Sequence, residues 1–193
     1  MKKTLLLAGV ACVLMSTQAN AANWFSNQAD HMSNNAKVYV GADYAFDHFD
    51  FKGSLHDAKK SYHSGLLNFG TRVGNVGGEV FGQWSFGRTK DTAAGKIKTR
   101  VNAYGLDMYG YMPLGCEGKY ELLGTLGVAD YYYKGFKGNV NDTNNHIGWR
   151  VGGGAMYNIT KQVAARIVGR YAYIGASDLN HAAEVTAGMR YSF

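Results

Sequence analysis

The sequence predicts an all-β fold: an eight-stranded antiparallel transmembrane up-and-down β-barrel with short periplasmic turns and longer external loops. The clearest observation is the segment 183–193, in which apolar residues alternate strictly with small or polar ones up to Phe193. Its polar positions include Glu184 and Arg190, which favour the lumen of a membrane barrel over the inside of a soluble sandwich. The same period of two recurs in seven further segments, and the links between them alternate between short and long.

Each predicted strand has apolar side chains at alternate positions over about 10 residues or slightly more, the length that a tilted strand needs to cross a bilayer. We predict the strands at 37–46, 64–73, 78–87, 99–112, 119–133, 146–157, 161–174 and 183–193. The short links are 74–77, 113–118 and 158–160. The longer ones are 47–63, 88–98 and 134–145, with a shorter one on the same side at 175–180. Bacterial barrels have short turns on the periplasmic side, so we expect both chain ends there.

The N-terminal residues have the pattern of a secretory signal peptide. Lys2 and Lys3 precede an apolar run that ends at Met15, and a small-residue cleavage pattern ends at Ala21. We therefore predict three segments: a cleaved signal peptide at 1–21, a flexible periplasmic lead-in at 22–36 and an outer-membrane β-barrel domain at 37–193. Cleavage leaves Cys116 as the only cysteine of the mature chain, so we expect no intramolecular disulfide.

Charged residues are frequent at the positions that alternate with the apolar face. An eight-stranded barrel is only wide enough for side chains to fill its interior, so buried charges there must be paired. Arginine suits this role because its planar fork pairs with carboxylates bidentately. We predict a structural charge network in the lumen from Asp43, Arg72, Glu79, Asp107, Glu121, Arg150, Arg166, Arg170, Glu184 and Arg190. The functional alternative is an ion or proton path along these charges.

Aromatic residues on the predicted outward face gather toward the strand ends. Rings at these positions are typical of the interfacial girdles of a membrane barrel. The predicted girdle residues are Tyr44, Phe46, Trp84, Phe86, Tyr132, Trp149, Tyr157, Tyr171, Tyr173, Tyr191 and Phe193.

Three segments resemble a known family. They are GWRVGGGAMYNIT at 148–160, GLDMYGYMPL at 105–114 and the terminal RYSF at 190–193. They look like the outer-membrane β-barrel family that includes the opacity-type surface antigens and is akin to the OmpA/OmpX-type barrels, a porin-like group. The resemblance implies an integral location in the bacterial outer membrane. It also implies that Tyr191 and Phe193 belong to a signal read by the outer-membrane barrel assembly machinery.

The most charged segment is predicted to be an external loop. Its cations are Arg88, Lys90, Lys96, Lys98 and Arg100, against Asp91 alone. A basic rim favours contact with outer-membrane lipid and lipopolysaccharide, and it also suits anionic host glycans or matrix proteins. The formal net charge of +6 includes two signal-peptide lysines, and we expect no nucleic-acid partner for an exported chain.

The spacing of the candidate catalytic residues argues against an enzyme active site. Small barrels that edit lipid A resemble hydrolases or acyltransferases with His, Ser and an acid near the external rim. Here His181 and Glu184 lie three apart on a strand, so they point to opposite faces and cannot form a dyad directly. Ser177 and Asp178 lie in the adjoining loop, which keeps a rim enzyme as the third alternative. We predict that the protein is not an enzyme.

The first long link, 47–63, contains residue types that could bind a metal ion. It contains six candidate ligands: His48, His56, His63, Asp47, Asp50 and Asp57. These residue types suit zinc, but their spacing matches no compact ligand motif, so a solvated polar loop is favoured. We expect no metal and no cofactor.

The sequence therefore favours a surface protein with a structural or interaction role. The more specific hypothesis is an adhesin or surface antigen that contacts a host or matrix ligand through the external loops. A small porin-like channel is the alternative, which a filled lumen opposes.

Overall fold

The computed structural model describes residues 36–51, 60–92, 95–115, 118–137, 140–175 and 179–193. Nine strands account for most of them: β1 (Ala36–Phe51), β2 (Ser61–Val73), β3 (Val76–Ser85), β4 (Arg88–Thr92), β5 (Gly95–Leu114), β6 (Tyr120–Lys137), β7 (Val140–Asn158), β8 (Val163–Tyr173) and β9 (Leu179–Ser192). The predicted signal peptide at 1–21, nearly all of the lead-in at 22–36, and Cys116 lie outside the described residues. The described part of the chain has no helix long and apolar enough to cross a membrane.

The strands form one closed antiparallel sheet. Its order is β3-β2-β1-β9-β8-β7-β6-β5-β4, and β3 also pairs with β5. Strands β3 and β4 follow each other along the same edge of β5, because Trp84 is opposite Asn102 and Arg88 is opposite Thr99. The two are therefore one transmembrane strand interrupted at Phe86 and Gly87. The predicted eight-stranded antiparallel barrel is confirmed.

The barrel has two distinct ends. Two of the short connections, at Gly74–Asn75 and 159–162, lie at the same end as the C-terminus, and Gly74 there adopts a left-handed backbone with φ 57°. We call this the periplasmic end and the opposite one the external end. Each end of the lumen holds an apolar cluster. The periplasmic cluster includes Tyr109, Tyr111 and Val168, and the external cluster includes Phe51 and Tyr133.

The polarity of the two barrel faces reverses along each long strand. In β1 the outward side chains are first aromatic, at Tyr44 and Phe46, and then polar, at His48 and Asp50. Phe49, between these polar residues, is buried in the lumen. In β6 the outward residue changes from Leu126 to Lys134. The barrel wall meets lipid below this level and water above it, whereas the lumen holds its buried ion pairs below it and mainly aromatic and apolar side chains above it. We call this level the polarity reversal.

Strands extend into three of the predicted external loops. The predicted link 47–63 contains the end of β1 and the start of β2, and 88–98 forms the hairpin of β4 and β5. The predicted link 134–145 likewise continues β6 and β7, which pair up to Lys137 opposite Val140. Backbone pairing persists beyond the bilayer because the polar side chains there face water. The connecting residues 52–59, 93–94 and 138–139 lie outside the described residues.

Candidate functional site

Glu79 is the centre of the charge network in the periplasmic half of the lumen. Its carboxylate accepts hydrogen bonds from Nη1 and Nη2 of Arg166, at 2.8 and 3.1 Å, and from Nη2 of Arg190 at 2.8 Å. The hydroxyl groups of Tyr39 and Tyr109 donate at 3.2 and 3.4 Å. All the carboxylate's partners are contributed by other strands, so one buried anion ties five strands together.

Asp43 completes this half of the network. It accepts from Nε of Arg166 at 3.0 Å, is paired with Nη2 of the same side chain, and accepts from Nδ2 of Asn68 at 2.8 Å. Gly188 is directly opposite Asp43, and a Cβ at that glycine would overlap the Asp43 carboxylate. The missing side chain therefore makes room for the ion pair.

A second set of charges lies nearer the external end. Oε1 of Glu184 accepts from Nη2 of Arg150 at 3.0 Å and from Nη1 of Arg170 at 2.8 Å. Asp107 faces the same two arginines, with its oxygens 3.2 and 3.3 Å from their Nε atoms. Two anions and two cations thus alternate, which compensates all four buried charges.

The last predicted pair closes the periplasmic end. Nη1 of Arg72 is 2.7 Å from Oε2 of Glu121, and the Arg72 side chain is 23% exposed. The structure thus brings all ten predicted lumen residues into the barrel interior, nine of them buried and Arg72 at the mouth.

Several lumen residues were missed by the sequence reasoning. Asp47 is a sixth buried carboxyl group, although the sequence assigned it to a loop. Tyr39 and Tyr109 lie against Arg190, whose Cζ is 4.3 and 4.8 Å from their ring centroids. Alternation within the strand was the available signal, because Tyr39 and Asp47 share the parity of Asp43.

The external end of the lumen is closed by aromatic side chains. Phe49, Phe51, Tyr62, Tyr131 and Tyr133 are each at most 4% exposed. Phe49 meets Tyr62 edge-on with 5.6 Å between ring centroids. Below them lies a cavity of about 10 Å³, which is room for one water molecule. The arrangement fills the lumen instead of lining a passage.

The outer wall carries aromatic rings near both ends. Ten of the eleven predicted girdle residues are exposed, whereas Tyr132 is half-buried beneath Lys134, whose Nζ is 5.4 Å from the ring centroid. Toward the external end, the indole nitrogen of Trp84 donates to the Tyr104 hydroxyl at 3.1 Å. At the other end, Tyr120 and Tyr157 have ring centroids 5.0 Å apart.

The predicted basic loop is divided between two faces of the barrel. Lys98 and Arg100 are exposed on the outer wall, and Arg88 is half-buried. Lys90 and Lys96 lie in the same hairpin of β4 and β5. Lys134, which the sequence reasoning missed, is exposed directly opposite Arg100.

We define Lys98, Arg100 and Lys134 as the outer patch. Arg100 is oriented by a hydrogen bond from its Nε to the Ser85 carbonyl oxygen, at 3.2 Å. Within the described part of the chain, none of the three cations forms an ion pair. They lie just beyond Tyr104 and Tyr132, where lipid headgroups meet the barrel wall.

The described histidines are not gathered into one site: His48, His63 and His181 lie on the outer wall, whereas His146 faces the lumen and stacks on Tyr133. Nδ1 of His48 is 3.2 Å from Oγ of Ser61, and His63 contacts Tyr44. Among the residues that the structure describes, no group of three His, Cys, Asp or Glu side chains could hold a metal ion. His56 and Asp57 lie outside those residues.

The candidate rim residues point in different directions. His181 stacks on Tyr171 with 5.5 Å between ring centroids, and its Nε2 is 3.6 Å from Asp50 on the outer wall. Glu184 is buried in the lumen. Ser177 and Asp178 lie outside the described residues.

The comparisons with known proteins agree with this architecture. Residues 7–193 match the family model described as "Outer membrane protein beta-barrel domain". No curated protein matches the chain. Among solved structures, Neisserial surface protein A (NspA) is 21% identical with a TM-score of 0.66, and the match covers 82% of this chain and 99% of that one.

Two further solved barrels have the same fold. The N-terminal β-barrel domain of Pseudomonas aeruginosa OprF is 12% identical, with a TM-score of 0.55 and coverage of 80% of this chain and 97% of that one. Ail, the attachment invasion locus protein of Yersinia pestis, is 13% identical, with a TM-score of 0.56 and coverage of 82% and 97%. Ail has also been solved in complex with the heparin analogue sucrose octasulfate, at 15% identity, a TM-score of 0.53 and the same coverage. The chain belongs to the outer membrane protein beta-barrel domain family and is an integral outer-membrane protein.

Proposed function

We propose that this protein is a surface barrel with a structural and interaction role, which binds the lipopolysaccharide of its own outer leaflet. The observation that carries the proposal is the outer patch: three exposed cations lie at headgroup level without an ion-pair partner among the described residues. Phosphate groups of lipid A supply the missing anions. Cations near an anionic membrane surface contribute about 1 kcal/mol each, so three account for about 3 kcal/mol.

The test removes the charge of the outer patch. The triple variant Lys98→Gln, Arg100→Gln, Lys134→Gln is expected to bind lipopolysaccharide on the order of 100-fold more weakly, as follows from about 3 kcal/mol. Binding is measured from the rise in unfolding temperature when lipopolysaccharide is added to the purified barrel. Lipopolysaccharide without lipid A phosphates serves as a second ligand, and the wild type is expected to bind it about as weakly as the triple variant does.

A matched variant controls for the change in total charge. Lys37→Gln, Lys119→Gln, Lys161→Gln removes three lysines near the periplasmic end, where all three are exposed. It is expected to bind lipopolysaccharide as the wild type does. Equal binding by both triple variants would contradict the proposal.

In the adhesin hypothesis, the cations of the outer patch also bind a second ligand. The hairpins of β4–β5 and β6–β7 extend beyond the polarity reversal, and the complex of Ail with a heparin analogue supports a sulfated host glycan or matrix protein as the partner. Binding of the patch variant to immobilised heparin, compared with its binding to lipopolysaccharide, separates the two ligands. Export through a cleaved signal peptide at 1–21 and recognition of Tyr191 and Phe193 by the assembly machinery are part of the same proposal.

A further inference from the structure

Among the described residues, the lumen has one more carboxyl group than it has arginines that pair with carboxyl groups; a sixth arginine, Arg88, is half-buried opposite Thr99 toward the external end. In the described part of the chain, the inward-facing carboxyl groups are Asp43, Asp47, Glu79, Asp107, Glu121 and Glu184, and the arginines that pair with them are Arg72, Arg150, Arg166, Arg170 and Arg190. Five of these six carboxyl groups contact an arginine. Asp47 is the exception, so its neighbourhood decides its charge.

Asp47 is held by neutral donors alone. Its side chain is buried, with 1% of the residue exposed. Oδ1 accepts from Nε2 of Gln83 at 2.9 Å, and Oδ2 accepts from the hydroxyl of Ser64. An isolated carboxylate at such a site would carry a large desolvation penalty, which two neutral hydrogen bonds do not offset.

A second carboxyl group lies directly across the strand pair. Asp47 of β1 is opposite Glu184 of β9, and both point into the lumen. Glu184 is already compensated by Arg150 and Arg170. Two ionised carboxylates facing each other here would repel, whereas a neutral acid and a carboxylate can share a proton.

The cavity of about 10 Å³ adjoins this pair. It is lined by both carboxyl groups and by Arg150 and Arg170. Nη1 of Arg150 is buried and has no hydrogen-bond acceptor among the described residues. A single water molecule fits the cavity and would accept from this nitrogen.

We propose that Asp47 and Glu184 form a buried proton-binding site that holds one proton between them and one water in the adjoining cavity. The proton leaves five negative charges against the five arginines that pair with these carboxyl groups. The polar groups that face the pair from the other strands are Ser64, Gln83, Asp107, Tyr131, Arg150 and Arg170. Of these, the two arginines are assigned to Glu184 and Asp107, so neither neutralises Asp47.

Proton binding couples the stability of the barrel to pH. In the unfolded chain Asp47 is in water and is ionised at neutral pH. At neutral pH the folded barrel therefore binds one proton more than the unfolded chain. Stability falls as the pH rises above the range in which Asp47 of the unfolded chain ionises, and it levels off once the folded site has released its proton.

The test combines infrared spectroscopy with two substitutions. In lipid vesicles at neutral pH, the wild type is expected to show the carbonyl stretch of a protonated carboxyl group, shifted in D₂O. Asp47→Asn should abolish this band. Because asparagine resembles the neutral acid, the urea midpoint should be nearly unchanged below about pH 4, where Asp47 is protonated in both states, and higher than that of the wild type at neutral pH, where only the wild type must take up a proton to fold. The substitution should also remove the decline in midpoint on raising the pH.

Asp107→Asn is the matched control. It removes a carboxylate that two arginines compensate, so it should lower the urea midpoint and keep the infrared band. Absence of the band in the wild type, or its persistence in Asp47→Asn, overturns the proposal. If a variant does not fold, absence of the band from the wild-type spectrum is by itself enough to overturn the proposal.

Discussion

Glu79 is the residue on which most of the buried charge in the periplasmic half depends. It faces two arginines at hydrogen-bond distance and two tyrosine hydroxyls, inside a wall that excludes water. Arg190 gains additional support from the ring faces of Tyr39 and Tyr109. Arg166 also pairs with Asp43, whereas Glu79 is the one carboxylate that contacts Arg190 among the described residues. Removing the Glu79 charge therefore leaves two cations with a single carboxylate.

We expect Glu79→Gln to destabilise the barrel by about 3–5 kcal/mol, because it leaves buried guanidinium charge uncompensated. Urea unfolding in phospholipid vesicles measures the change. Glu121→Gln is the control, since its partner Arg72 lies at the mouth and is 23% exposed, and we expect a loss of about 1 kcal/mol or less. Equal losses in the two variants would contradict the central role of Glu79.

Alternation predicted the lumen residues one by one, but it could not predict their partners. Arg166, for example, is polar at an inward position of its strand, and this alone assigns it to the lumen. Its pairing with Glu79 joins residues 87 positions apart, which depends on barrel closure and on how far each side chain reaches. Lys134 was missed for the same reason, because only the register of β5 and β6 brings it to Arg100.

At the scale of the strand, the sequence predicted where each strand crosses the membrane better than where it ends. An outward apolar face ends at Phe46 in β1, yet the strand continues to Phe51 with the opposite polarity. A search for one phase of alternation stops at this change. The information was present in Phe49 and Phe51, which alternate with polar residues in the reverse sense.

The terminal strand offers a test of assembly apart from stability. The backbone nitrogen of Phe193 donates to the Val38 carbonyl oxygen at 2.9 Å, while its side chain is 73% exposed. We expect Phe193→Ala to reduce the amount of folded barrel in the outer membrane several-fold, because it removes the proposed assembly signal. Heat-modifiable migration of the barrel in gels measures this yield.

Phe86→Ala controls for the loss of an exposed aromatic ring. Phe86 is 62% exposed and lies toward the external end, away from the terminal strand. We expect a near-normal yield of folded barrel from this variant, and both purified variants should refold in detergent as the wild type does. An equal drop in yield for Phe86→Ala would contradict a signal at the C-terminus.

The barrel as a whole is a filled cylinder. Paired charges occupy its middle, and apolar clusters occupy its two ends. The sequence could predict this filling from the strand number alone, since eight strands enclose only enough space for side chains. It could not predict the aromatic closure at the external end, because that region was assigned to loops.

We expect no steady conductance when the purified barrel is inserted into planar lipid bilayers. The reason is that neither the charge network nor the aromatic closure leaves a continuous passage for ions. Tyr131→Ala is the informative variant, since it shortens a side chain that borders the small cavity. Stable single-channel steps from the wild type would favour the porin-like alternative instead.

The polarity reversal gives the barrel a fixed vertical position in its membrane. Raising the molecule would move Tyr44 and Phe46 from lipid into water, and lowering it would draw His48 and Asp50 into hydrocarbon. Displacement in either direction is therefore opposed around the circumference, with no need for a separate anchor. The chain thus specifies how deeply it is immersed, and a bilayer of a different thickness must adapt to the protein.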